Sequence, residues 1–164
     1  MKGKNMETLM KGKTMNKTIY LAGPVGGLTE EEAKGWRKQF ADDLKFYAEV
    51  KGISPLRAEP PTDGSYDIQN SANSGDECWG SPRAVASKNY FDVTHCDIVV
   101  AYLPSKSLGT VVEMAWAFEM GKSVILVSDV PDIADHPLLM RCASWIVPTL
   151  EDAMVICTGM MGDY

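Results

Sequence analysis

Glu113 closes the stretch Ser105-Lys106-Ser107-Leu108-Gly109-Thr110-Val111-Val112-Glu113, and no other carboxylate in the chain has neighbours so suited to chemistry. An apolar run, 97–103, precedes the stretch and another, 114–120, follows it. Strand, small-residue turn and helix in that order make the layout in which α/β proteins hold phosphates and sugars at free helix amides. The pattern predicts a helix from Thr110 to Gly121, with Glu113 inside its first turn. A carboxylate there is favoured as the anion by about 0.3–1 kcal/mol, as a nucleophile requires. Ser107, Gly109 and Thr110 are then candidate contacts for a phosphate or a sugar hydroxyl. A plainer reading stands beside this one. Thr110-x-x-Glu113 has the form of a capping box, as does Thr29-x-x-Glu32, and such a box needs no ligand.

Cleavage of a glycosidic bond calls for two carboxylates, one ionised as nucleophile and one protonated as acid. Asp92 lies in a helix-like segment that leads towards the same turn and is the candidate partner, whereas Asp97 reads as a solvated strand-start residue. Tyr20, at the end of an apolar run, suits a core position as readily as a functional one. His95 and His136 have no metal-ligand spacing, and surface or helix-end roles suit them. Gly23 to Gly27 form a tight loop but not a dinucleotide fingerprint.

The elements that must position these residues alternate. Thr18 to Ala22 reads as a strand ended by Gly23-Pro24. A helix from the Thr29 cap to about Tyr47 carries Ala33, Trp36, Phe40, Leu44 and Tyr47 at helical spacing. Residues 49–54 form a weak strand, 82–95 a helix with Pro at its first turn, and 97–103 the central strand. Beyond the helix stopped by Gly121 come a strand at 123–127, a helix at 132–142, a short strand at 145–147 and a last helix from Thr149 to about Cys157. Residues 56–81, rich in Pro, Gly, Ser, Asn and Asp, have the length of a lid or binding loop. Such alternation implies a three-layer α/β fold of the Rossmann-like, flavodoxin-like kind, a five-stranded parallel sheet in the order 2-1-3-4-5. Its ligand crevice would lie beyond the carboxyl ends of strands one and three.

Composition bounds the rest. The chain has 164 residues, 45% hydrophobic and 23% charged, with a net charge of −6, which fits one globular domain. Residues 1–17 are a basic leader, expected to be partly disordered, and 18–164 the domain. The leader lacks the apolar core of a signal peptide, and no apolar run approaches the roughly 18 residues that span a bilayer, so a cytoplasmic protein without membrane contact is expected. The acidic balance argues against a nucleic-acid surface. Cys78, Cys96, Cys142 and Cys157 show no metal-ligand spacing, and reduced thiols are expected.

In their order, Tyr20-Leu21-Ala22-Gly23-Pro24, then Asp92 followed by Asp97-Ile98-Val99-Val100, then Gly109-Thr110-x-x-Glu113 with Ala117 and Gly121-Lys122, the motifs resemble the nucleoside 2-deoxyribosyltransferase family and its nucleoside 5′-monophosphate N-glycosidase relatives, over about residues 18–156. The resemblance implies a retaining double displacement with no metal or cofactor. Glu113 would attack C1′ of the sugar, Asp92 would assist departure of the base and Tyr20 would orient Glu113. Gly23, Gly26, Gly27, Ser107, Gly109, Thr110 and His136 would contact substrate. A neighbouring subunit would complete the site, so a homodimer or higher homo-oligomer is implied, with the Asp135-His136 region and the C-terminal tail as candidate contributors. Ser107 stands where nucleoside transferases carry an aspartate, as in the monophosphate hydrolases, and favours a nucleotide. Gly26 stands where the mammalian-type hydrolase carries an arginine, so Lys106, Arg83 or a neighbouring subunit would have to meet a phosphate. Two rivals remain: a nucleotide-binding module without turnover and, more weakly, a dinucleotide-dependent oxidoreductase.

Overall fold

The computed structural model describes residues 17–57 and 82–161. Five parallel strands, β1 (Thr18–Ala22), β2 (Lys51–Ile53), β3 (Ile98–Tyr102), β4 (Ser123–Val127) and β5 (Trp145–Val147), form one sheet in the order β2-β1-β3-β4-β5. The helices are α1 (Glu30–Ala48), α2 (Pro82–His95), α3 (Leu108–Glu119), α4 (Pro131–Ala134), α5 (Pro137–Cys142) and α6 (Leu150–Met161). The expected flavodoxin-like order is the one found. Most of the long loop, the leader apart from Lys17, Cys78 and residues 162–164 lie outside the described residues.

Side-chain alternation along the strands divides the core into two halves. Tyr20, Ala22, Val99, Ala101, Val124 and Leu126 pack with Val93 of α2, Met114 and Ala117 of α3, Ile133 of α4 and Leu139 of α5. The intervening Ile19, Leu21, Ile98, Val100, Ile125 and Val127 pack with Phe40 and Leu44 of α1 and Ala153 and Cys157 of α6. Tyr20 therefore faces α2 and α3, and it lies in mid-strand rather than at the strand end. Asp97 behaves as a strand-start residue, its Oδ2 accepting from the Thr18 N–H at 2.7 Å.

Three expectations about helices are corrected. First, α1 begins in the expected Thr29 capping box, but Tyr47 is 66% exposed. The buried face is Ala33, Arg37, Phe40 and Leu44, and a charged residue takes a place that a purely apolar pattern skips. Second, α3 starts at Leu108, not Thr110. Ser107 is the N-cap, its Oγ accepting from the Thr110 N–H at 3.4 Å and from the Thr110 hydroxyl at 3.0 Å. Thr110 is thus inside the helix, no Thr110–Glu113 capping box exists, and Glu113 lies in the second turn. Gly121, at φ +67, ends the helix in the left-handed conformation that favours glycine. Third, the single helix expected over 132–142 is two short ones. Pro137 has no N–H to continue a helix and disfavours helical backbone at His136, which adopts φ −70, ψ 121 instead.

Candidate active site

Glu113 projects from α3 into the half of the core that holds Tyr20, and it is only 7% exposed. The Tyr20 hydroxyl donates to Glu113 Oε1 at 2.6 Å. Asn89 Nδ2, from α2, donates to the same oxygen at 3.1 Å. Oε2 accepts no hydrogen bond from the described residues. Glu113 lines a cavity of about 310 Å³ together with Pro82, Val85, Ala86 and Asn89 of α2 and Leu108, Gly109, Val112 and Trp116 of α3. One carboxylate oxygen is fastened by two donors, and the other is unbonded among the described residues.

Burial raises the Glu113 pKa to about 7, while the bond from Tyr20, the charge of Arg37, the bond from Asn89 and the charge of Lys88 pull it down. The expectation that helix position would keep Glu113 fully ionised is therefore corrected. In the second turn it has left the strongest part of the helix dipole, and desolvation outweighs what remains. Burial also raises the Tyr20 hydroxyl well above its usual value, and the charge of Glu113 adds to this, so Tyr20 remains a donor.

Asp92 is 3% exposed and is held by a different partner. Arg57, in the turn after β2, grips it with two bonds of 2.5 Å, and Lys88 Nζ stands 3.9 Å from Oδ2. The bond to Asp92 is the main reason that the Arg57 pKa is raised. Lys88 also donates to the Pro55 carbonyl, so α2 fastens the turn that follows β2. The two carboxylates sit in opposite settings: Glu113 is clamped by neutral donors, and Asp92 is forked by a guanidinium.

The remaining candidates divide between several places. Gly109 borders the Glu113 cavity, exposed, with open space where a Cβ would stand. Ser107 and His136 meet across a second cavity of about 330 Å³, whose walls include Lys106, Val111, Asp132 and Leu138. Thr110 is buried and bonded to Ser107. Gly23 is buried, and a Cβ there would come within 2.8 Å of Trp36 and 3.2 Å of the Tyr102 carbonyl; its own carbonyl accepts from Arg37. Gly26 and Gly27 are exposed in the turn before α1 and line neither cavity. Sequence reasoning missed Asn89, Arg57 and Arg37. The first two left a faint trace, since Lys88-Asn89 and Asp92 share one helical face and Arg57 follows directly on the strand-ending Pro55-Leu56.

The fold and the fastened carboxylate define an α/β protein with a crevice at the carboxyl edge of its sheet. The family model described as nucleoside 2-deoxyribosyltransferase matches residues 19–160, and the chain belongs to that family. Among solved structures it is similar to a conserved protein from Enterococcus faecalis V583, with a TM-score of 0.63 and 14% identity over 88% of this chain and 98% of that one. It is also similar to the 2-deoxyribosyltransferase from Bacillus psychrosaccharolyticus, with a TM-score of 0.61 and 17% identity over 88% and 96%. A third, described as the molybdenum cofactor binding protein from Rippkaea orientalis, has a TM-score of 0.54 and 17% identity over 90% and 98%. These likenesses bear on the fold. No curated protein matches the sequence significantly.

Proposed function

We propose that this protein cleaves or exchanges the N-glycosidic bond of a (deoxy)nucleoside or its 5′-monophosphate through a covalent glycosyl-enzyme on Glu113. One observation carries the reading: a buried carboxylate lining a cavity, with Oε1 fixed by Tyr20 at 2.6 Å and Asn89 at 3.1 Å, and with Oε2 unbonded by the described residues. Oε2 attacks C1′, and the C1′–N bond breaks with its electron pair passing to the base, which takes up a proton from solvent. Water or a second base then attacks C1′ from the face the first base left, giving up a proton to solvent, and Glu113 departs as the carboxylate. Two inversions give net retention.

The nucleotide is the favoured form of substrate. Ser107 Oγ accepts from Thr110 and keeps its own proton for a phosphate oxygen. The amides of Leu108 and Gly109, in the first turn, have no acceptor within their own helix. Lys106 adds a positive charge beside them. The test incubates the protein with common nucleosides and 5′-monophosphates, with and without a free base, and separates the products by chromatography. Release or exchange of base supports the reading. Thermal stabilisation by a nucleotide without any product would mark a binding module instead.

The reading has a pH signature. Attack needs ionised Glu113, so kcat/KM should rise with pH along an acidic limb centred near 7, where burial places this group. Tyr20→Phe removes a bond that favours the anion, so its limb should move to higher pH. A profile from pH 5 to 9 decides the matter, and an unmoved limb would count against Tyr20 as the orienting group.

A further inference from the structure

Two residues of α2 compete for a role beside Glu113. Asp92 is the one the family resemblance selects, and the contacts favour another. Both oxygens of Asp92 are taken by Arg57, with Lys88 behind one of them. One helical turn earlier, Asn89 places its amide 3.1 Å from Glu113 Oε1 and lines the cavity with it. We infer that Asn89, and not Asp92, is the α2 residue that acts on Glu113, as a positioning residue that turns Oε2 toward the substrate, while Asp92 fastens the turn after β2. The inference rests on the proposed role of Glu113.

An amide suits that position for a physical reason. It donates to a carboxylate without bringing a second negative charge, whereas two carboxylates at this distance cannot both ionise. Glu113 is faced by Tyr20 from β1, Arg37 from α1, and Lys88 and Asn89 from α2, with Asp92 one turn further along α2. Among the described residues Asn89 and Tyr20 are the two that bond it, and they bond the same oxygen from two different layers of the fold. Together they fix the carboxylate plane, which a single donor would leave free to rotate.

The test reads Glu113 directly, so it does not depend on turnover. The full chain, labelled with carboxyl-¹³C glutamate, is titrated by NMR, with Glu113→Gln identifying the resonance. Asn89→Ala should raise the Glu113 midpoint by about one pH unit, the effect of losing a charge-assisted hydrogen bond. Asn89→Ser is read in the same way should the first variant fold poorly. Asp92→Asn should leave the midpoint in place while lowering the melting temperature. In the base-release assay Asn89→Ala should lower kcat about 10- to 100-fold with a smaller change in KM, and its acidic limb should follow the NMR midpoint. An unmoved midpoint in Asn89→Ala, or an equal movement in Asp92→Asn, would overturn the assignment. If the wild-type protein turns over no nucleoside or nucleotide, the reaction falls while the titration still decides the role of Asn89.

Discussion

Glu113→Gln should lower base release by at least about 10³-fold and at the same time make the folded protein more stable above pH 7. The two effects share one cause. The folded protein holds the Glu113 proton up to about pH 7, against 4.5 for an ordinary glutamate. A group whose folded pKa is raised contributes stability below its unfolded pKa, and that contribution is lost as pH rises through the folded value. By pH 8 the buried anion costs the fold about 3 kcal/mol. The glutamine side chain of the variant would keep the shape and an acceptor for Tyr20 without the charge. Urea unfolding of both proteins at pH 5 and pH 8 checks this: the curves should nearly coincide at pH 5 and separate at pH 8, with the variant the more stable. Parallel behaviour at both pH values would mean that Glu113 is better solvated than its 7% exposure implies.

Arg37→Leu should destabilise the protein by at least about 3 kcal/mol, about 6–12 °C in melting temperature for a chain of this size. Arg37 is 1% exposed and heads the fully buried side chains in size. Its Nε donates to the Leu21 carbonyl at 3.1 Å, one terminal nitrogen to Gly23 at 2.8 Å, and the other to Ala33. Its guanidinium lies 4.6 Å from the centre of the Trp36 ring. Leucine fills part of the volume and leaves those carbonyls without the donor. The loss should reach the site as well, because the charge of Arg37 helps to lower the Glu113 pKa. Thermal unfolding at pH 7 measures the first effect, and the acidic limb of whatever activity survives measures the second. A variant as stable as the parent would show that water or a shifted backbone satisfies the carbonyls.

The difference between Glu113 and Arg37 explains what could be read in the sequence. Glu113 announces itself through neighbours along the chain: a strand before it, small residues in the turn and an apolar helix after it. The sheet order follows in the same way from alternating elements and their lengths. Arg37, Asn89 and Arg57 owe their roles to partners distant in sequence, such as Asp92 for Arg57 and Glu113 for Asn89. A helix with a charged residue on its buried face looks amphipathic in the wrong phase until the carbonyls that receive it are known. The start of α3 is ambiguous for a local reason. Both Ser107 and Thr110 make good caps, and only the backbone shows that Ser107 takes the role and leaves Thr110 to bond it.

The break at His136-Pro137 bears on how this protein could be altered by design. The wall that α4 and α5 give to the Ser107 cavity is anchored in the core by Ile133 and Leu139, whereas Asp132, His136 and Leu138 of that wall are exposed. Of the described residues bordering that cavity and the Glu113 cavity, Leu108 alone is common to both, and it is 88% exposed. On the proposed function, replacing Asp132, His136 or Leu138 should retune what is accepted at one end, in the manner of an exchangeable adapter, without loosening the clamp on Glu113 at the other.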